Sequence, residues 1–321
     1  MKNANTKSRV SSVSKSRASS VSKLRARLLT SWAAVSALAA SLLFIGLLTG
    51  CPHNQPPAKP VDPAAIFRTD GHGKITGYKC AKEELPAYLV IPAKIGNEEI
   101  KEIDQYAFED CTGLGSVHLP ASLTQIGKLA FAGCTGLTRL TIDSANATYK
   151  TEGNILYNKA GTTLIFAAGG LTSANILNTV ITIDGHAFNS CTGLKSITLP
   201  VNLTQIGEYA FRGCTGLRSI SLPAHLTKIG FNAFSECTGL TSIRLPASLT
   251  KIDWGAFSDC EGLTSAVFED TNGWKVYAYF DYSSTPTPIS SSDLDNVATA
   301  AKYLREKNNK GGYCDKYWKK N

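Results

Sequence analysis

The first fifty residues contain no acidic side chain, yet they hold eight basic ones: Lys2, Lys7, Arg9, Lys15, Arg17, Lys23, Arg25 and Arg27. The 321-residue chain carries 33 basic and 25 acidic residues, so positions 51–321 hold 25 of each and are formally neutral. A nucleic-acid-binding body needs a basic footprint on its folded part, and this balance argues against one. Histidine is scarce, at five (His53, His72, His118, His186, His225), with no His-x-x-x-His spacing. Asp70-Gly71-His72-Gly73-Lys74 lacks the first glycine and the Ser/Thr of a phosphate-binding loop, and no helix signal follows, so a hairpin turn is expected there. There is no nucleophile elbow and no carboxylate pair in a common motif. These absences leave no catalytic residue, cofactor or metal site to name.

Residues 1–27 are rich in Lys, Arg and Ser, and Leu28 to Gly50 is uncharged and mostly apolar. Basic then apolar is the pattern of an export signal. The apolar run is also long enough to span a bilayer. It ends in Leu48-Thr49-Gly50-Cys51, which resembles the lipobox of bacterial lipoproteins. That resemblance implies a signal peptide over 1–50 and acyl chains on Cys51. A signal anchor with an incidental cysteine is the alternative. Both export residues 52–321, because the basic end stays in the cytoplasm. Residues 52–63 hold five prolines, so 51–65 reads as a stiff, extended tether.

Cysteine spacing exposes the organisation of the body. Cys111 and Cys134 are 23 apart, and Cys191, Cys214, Cys237 and Cys260 follow one another at the same interval. Each is preceded by Ala-Phe at a fixed offset, from Ala107-Phe108 to Ala256-Phe257, and followed by Gly-Leu. Next comes an apolar pattern such as Leu194, Ile197, Leu199, Pro200, and then a second pair such as Leu203 and Ile206. A period in this range means stacked repeats. Leu-x-x-Ile-x-Leu suits a short strand with one buried face. Proline ends the ladder because it lacks an N–H. Ala-Phe-x-x-Cys is expected to form a short helical or 3₁₀ turn with Phe and Cys on one face. The glycine after Cys-Thr is expected to supply a positive φ.

The unit Leu-x-x-Ile-x-Leu-Pro-x-x-Leu-x-x-Ile-Gly-x-x-Ala-Phe-x-x-Cys-x-Gly resembles the treponemal, BspA-like class of leucine-rich repeats. The resemblance implies a repeat solenoid of parallel β-strands with capped ends. It covers roughly residues 89–268; 66–110 reads as N-terminal cap and first coil and 111–268 as the repeat array, irregular over 143–190. In the irregular part, Ile155-Leu156-Tyr157 and Leu164-Ile165-Phe166 read as a hairpin, and the repeat resumes near Ile181. Residues 269–321 read as a C-terminal cap and linker with a basic helical tail. Gly273 to Phe280 reads as a closing strand, Ser283 to Ser292 as a linker, and Ser292 or Asp293 as the cap of a helix running to about Lys307. The tail carries seven basic residues against two acidic ones over 299–321. It reads first as a cover for the last coil and second as a basic, aromatic contact for an acidic partner.

The six register cysteines are expected to be buried free thiols, because a 23-residue spacing offers neither clustered zinc ligands nor converging Cβ vectors for disulfides. Cys80 and Cys314 lie outside that register, near opposite ends of the array, and are not expected to pair with each other; whether each is free is left open. The exposed strand positions are Ser116, His118, Arg139, Thr141, Ser196, Thr198, Ser219, Ser221, Ser242 and Arg244. They are expected to form a polar, nearly uncharged inner face. That face either serves solubility alone or binds protein, as solenoid faces commonly do. The family resemblance implies an outer-membrane or cell-surface adhesin. Its partners would be host matrix or plasma proteins such as fibronectin and fibrinogen, host cells, or other bacteria. A periplasm-facing scaffold for envelope proteins is the alternative. An enzyme would need a polar cluster that breaks the repeat. The one roomy place holds Tyr149, Glu152, Tyr157 and His186, which form no recognisable motif.

Overall fold

The computed structural model describes residues 62–320. The leader, Cys51 and nearly all of the tether lie outside the described residues. Among the described residues no helix is long and apolar enough to cross a membrane.

The body is a parallel β-solenoid of about seven turns. Each regular coil contributes a longer and a shorter strand. The longer ones carry the Leu-x-x-Ile-x-Leu pattern and pair in parallel with the coil before. Tyr88–Val90, Ser116–Leu119 and Arg139–Ile142 form one group, and Ser219–Ser221, Ser242–Leu245 and Ser265–Phe268 another. Their registers step by 23, with Ser116 opposite Arg139 and Ile220 opposite Ile243. Alternation sends Val117, Leu119, Ile220, Ile243 and Leu245 into the core. Proline then ends the ladder and turns the chain. The Pro200, Pro223 and Pro246 carbonyls accept the N–H of Leu203, Leu226 and Leu249. The shorter strands, such as Gln205–Ile206, Lys228–Ile229 and Lys251–Ile252, stack into a ten-stranded sheet.

The Ala-Phe-x-x-Cys limb closes each coil. Its rings stack from coil to coil: Phe188 on Phe211 at 5.0 Å, Phe211 on Phe234 at 5.1 Å and Phe234 on Phe257 at 5.2 Å, all nearly parallel. Backbone bonds run along the same stack, Phe211 N–H to the Ala233 carbonyl at 2.7 Å among them. Within a coil the bonds are of the 3₁₀ kind, such as Cys214 N–H to the Phe211 carbonyl at 3.1 Å. No continuous 3₁₀ helix forms, because the residues five and one before each cysteine are left-handed. They include Tyr209 (φ 55°), Asn232 (φ 50°) and Glu236 (φ 62°). Each such non-glycine residue costs about 1 kcal/mol or more. Bonds to the next coil hold them, as with Tyr209 N–H to the Phe231 carbonyl at 2.8 Å.

The glycine after Cys-Thr does not supply the positive φ expected of it. Gly136, Gly216 and Gly239, and Gly262 after Cys260-Glu261, are absent from the left-handed set. Their requirement is space. A Cβ on Gly239 would lie 2.2 Å from the Thr215 carbonyl oxygen, and one on Gly262 would lie 2.4 Å from that of Thr238. Gly113, in the first such coil, would meet nothing within 4 Å.

Between the two regular arrays, Tyr149–Glu152, Ile155–Asn158 and Thr163–Ala167 run antiparallel, as the hairpin reading expects. Asn158 fixes the turn by accepting the N–H of Thr162 and Thr163 through Oδ1 at 2.9 and 3.0 Å. Buried Asn146 ties this insertion to the first array, donating to the carbonyls of Pro120, Ala121 and Leu123. The core divides here: Leu156 joins the first cluster, whereas Ile155 and Tyr157 join the second. Thr163–Ala167 then pairs in parallel with Thr182–Ile183, and the array resumes.

A short helix, Pro63–Ile66, leads into a hairpin of Phe67–Thr69 with Lys74–Tyr78 that turns at Asp70–Gly73. At the other end, three sequence expectations change. The tail helix is two helices, Ser291–Asp295 and Val297–Arg305, because Asn296 is extended and caps the second by accepting Thr299 N–H at 3.0 Å. The supposed linker contains a strand, Thr287–Pro288, and buries Ile289. Tyr317–Lys320 is a strand, antiparallel to both Lys251–Ile252 and Trp274–Tyr277. Trp274, Leu294, Ala300, Ala301, Leu304 and Trp318 thereby seal the end of the second core.

Candidate functional site

The strand register gathers the ten named face residues into two columns. One contains Ser116 and Arg139, then Ser196, Ser219 and Ser242. The other contains His118 and Thr141, then Thr198, Ser221 and Arg244. The middle interruption separates Ser116, His118, Arg139 and Thr141 from the rest, and Ser196–Thr198, in a sheet with Ser173–Asn175, is not in one sheet with Ser219–Ser221. The same register adds residues the sequence reading missed: Tyr88 and Val90 before the first coil, Ser173 and Asn175 after the interruption, Ser265 and Val267 at the end. Tyr88 is 60% and Val90 45% exposed, so one end of the face is apolar. Both fall within 66–110, read from sequence as cap and first coil, and pairing with Ser116–Leu119 brings them to the face.

Few contacts fix these side chains. His118 Nδ1 and Thr141 Oγ1 share a hydrogen bond at 3.0 Å. Arg244 pairs with Glu269 at 3.2 Å, which leaves that end of the columns close to neutral. The serines at 196, 219, 221 and 242 are exposed. Such a surface presents donors and acceptors with little desolvation cost, which suits polar protein contact better than chemistry.

The eight cysteines from Cys80 onward are free, Cys80 and Cys314 included. In the regular array the thiols form a ladder: Cys214, Cys237 and Cys260 donate to the carbonyls of Phe188, Phe211 and Phe234 at 3.0–3.2 Å. Burial pushes the Cys191 and Cys237 thiols up to about 12. These are inert core groups. Among the described residues no cluster of His, Cys, Asp or Glu could hold a metal ion.

The four residues of the roomy segment do not act together. Tyr149 donates its hydroxyl to the Thr124 carbonyl at 3.1 Å, Glu152 is exposed, and Tyr157 is buried in the second core. His186 stacks on Tyr209 at 4.8 Å, and burial lowers its pKa. Beside it a cavity of about 60 Å³ lies between Leu129, Phe131, Phe166 and His186, where the insertion lacks the Ala-Phe-x-x-Cys turn. Lys128 and Glu208 pair across that seam at 2.6 Å.

The chain matches the family model described as "BspA type Leucine rich repeat region" in six copies over residues 90–160 and 162–285, more than half of its length. No curated protein matches it. Solved structures that resemble it include a leucine-rich cell surface protein of Faecalibacterium prausnitzii, 29% identical, covering 54% of this chain and 52% of that one, TM-score 0.44. The Treponema pallidum leucine-rich-repeat protein is 28% identical, covering 64% of this chain and 82% of that one, TM-score 0.35. The pneumococcal vaccine antigen PcpA is 21% identical, covering 56% of each chain, TM-score 0.43. The chain thus spans about half the length of several of the solved proteins it matches.

Proposed function

From the premise that this chain belongs to the BspA-type leucine-rich-repeat family, whose repeats serve as protein-interaction scaffolds, we propose that it is an exported, surface-displayed adhesin without catalytic activity. The observation that carries this reading is the pair of exposed columns. They are regular, hydroxyl-rich and nearly uncharged, and apolar Tyr88 and Val90 stand at one end. Many weak polar contacts along such a face add up when many copies are displayed on one cell. The basic leader, the apolar run and Cys51 support display, with acyl chains on Cys51 as the anchor, since stable attachment takes more than one chain. The partners proposed are host matrix or plasma proteins, fibronectin and fibrinogen first, host cells, or the surfaces of other bacteria.

The test has two arms. Intact cells are treated with protease, and the mature chain is titrated on immobilised fibronectin and fibrinogen. Cleavage together with saturable binding that Arg139→Ser and Tyr88→Ser each weaken is the expected result. Protection on intact cells removes the adhesin and moves the search to periplasmic partners.

A further inference from the structure

A second surface lies on the other sheet. Four lysines from four adjacent strands stand in one register row: Lys228 opposite Lys251, Lys251 opposite Lys319, and Lys319 opposite Lys275. The full row exists because the tail strand Tyr317–Lys320 inserts between Lys251–Ile252 and Trp274–Tyr277. At the usual interstrand spacing it is about 14 Å long. Ile229, Ile252, Trp318 and Val276, one position on or back in each strand, face the core, so the lysines face outward.

The carboxylate that meets the row is Asp253, 3.1 Å from Lys251 and 3.6 Å from Lys228. Among the described residues Lys275 and Lys319 form no ion pair. Asp281, in the neighbouring loop, accepts the Ser283 N–H at 3.0 Å. Aromatic rings border the row. Tyr282 lies under the ammonium groups of Lys319 and Lys251, at 4.8 and 5.3 Å from its centroid, and packs edge-on against Tyr277 at 5.0 Å. Tyr279 and Phe280 of the same loop are 63% and 74% exposed.

We propose that this lysine row, with the exposed Tyr279 and Phe280 of the adjoining loop, binds a linear anionic polysaccharide. A straight row of evenly spaced ammonium groups matches a chain of repeating sulfate or carboxylate groups. The exposed rings of Tyr279 and Phe280 in the adjoining loop suit the C–H faces of sugars. A single row on a formally neutral body is a narrow footprint for a nucleic acid. The surface is separate from the two face columns and does not depend on their role.

The mature chain is titrated with heparin, and in parallel with neutral dextran, polyglutamate, duplex DNA and phosphatidylglycerol vesicles. Saturable heparin binding is expected, no dextran binding, and at least about tenfold weaker binding of the other three. Losing two of four cations, K275Q/K319Q should weaken heparin binding by about tenfold or more and halve the slope of log affinity against log salt. Lys319→Gln alone, at an exposed site, serves if the double variant melts early. K94Q/K195Q, on other surfaces, should change nothing. No saturable heparin binding, an unaffected row variant, or equal binding of polyglutamate, DNA or vesicles overturns the proposal.

Discussion

The array before the insertion and the array after it are built from one repeat but not to one standard. After it, four phenylalanine rings stack in register, and three thiols in succession donate to the coil before. Before it, Phe108 and Phe131 stack at 5.1 Å, and half-buried Phe166 of the insertion takes the third place at 5.4 Å. One thiol there, Cys134, donates in the ladder manner, to Phe108 at 3.1 Å. A repeat position therefore has the value of its neighbours: the same residue is constrained inside a stack and free at its edge.

The largest test is in the ring stack. Phe211→Ala removes a fully buried ring flanked on both sides and should cost about 3–5 kcal/mol in denaturant unfolding. Phe166→Ala should cost about half as much. Equal losses would erase the distinction between the arrays.

Glycine sharpens the comparison. Gly239→Ala drives a methyl into the Thr215 carbonyl and should cost about 1–3 kcal/mol. Gly113→Ala has open space and should fall within about 0.5 kcal/mol of the parent, on either side. Paired melting curves read both.

Alkali tests the thiols. Folded Cys191 and Cys237 hold their protons to about 12, against an ordinary value of 9.0. The unfolded chain releases protons first. The contribution of these thiols is complete below pH 9 and is lost as pH rises towards 12. Stability measured across that window should fall, and Cys237→Ala should flatten the fall. Alkylation mapped by mass spectrometry at pH 8 should mark partly exposed Cys80 and spare Cys191 and Cys237.

The smallest effect is at the surface. Arg212 and Glu236 pair at 2.6 Å between adjacent coils, both about half exposed, and Arg212→Gln should cost no more than about 1 kcal/mol. Added salt should abolish the difference.

The repeat was legible because cysteine, phenylalanine and proline recur at a fixed interval, and those side chains are the ones the stack buries. The face columns were legible from strand alternation. The left-handed positions were not. They are occupied by residues as unlike as Tyr106, His186 and Asn232, since bonds to the next coil impose the conformation regardless of the side chain. The tail strand was hidden for another reason. Tyr317–Lys320 is too short to show alternation, and its partners lie at Lys251 and Trp274. The lysine row is invisible in sequence for the same cause.

That antiparallel tail strand also acts as a chain terminator. Without it, Lys251–Ile252 would present an open parallel edge, on which a second molecule could add its own coils end to end. Tyr317–Lys320 occupies that edge with the opposite polarity, and the sheet finishes at Pro288, which has no N–H to offer. Growth is stopped by whichever coil meets the tail, not by a count of coils. An extra 23-residue unit placed between Cys214 and Cys237 should fold into a longer solenoid with the same two ends.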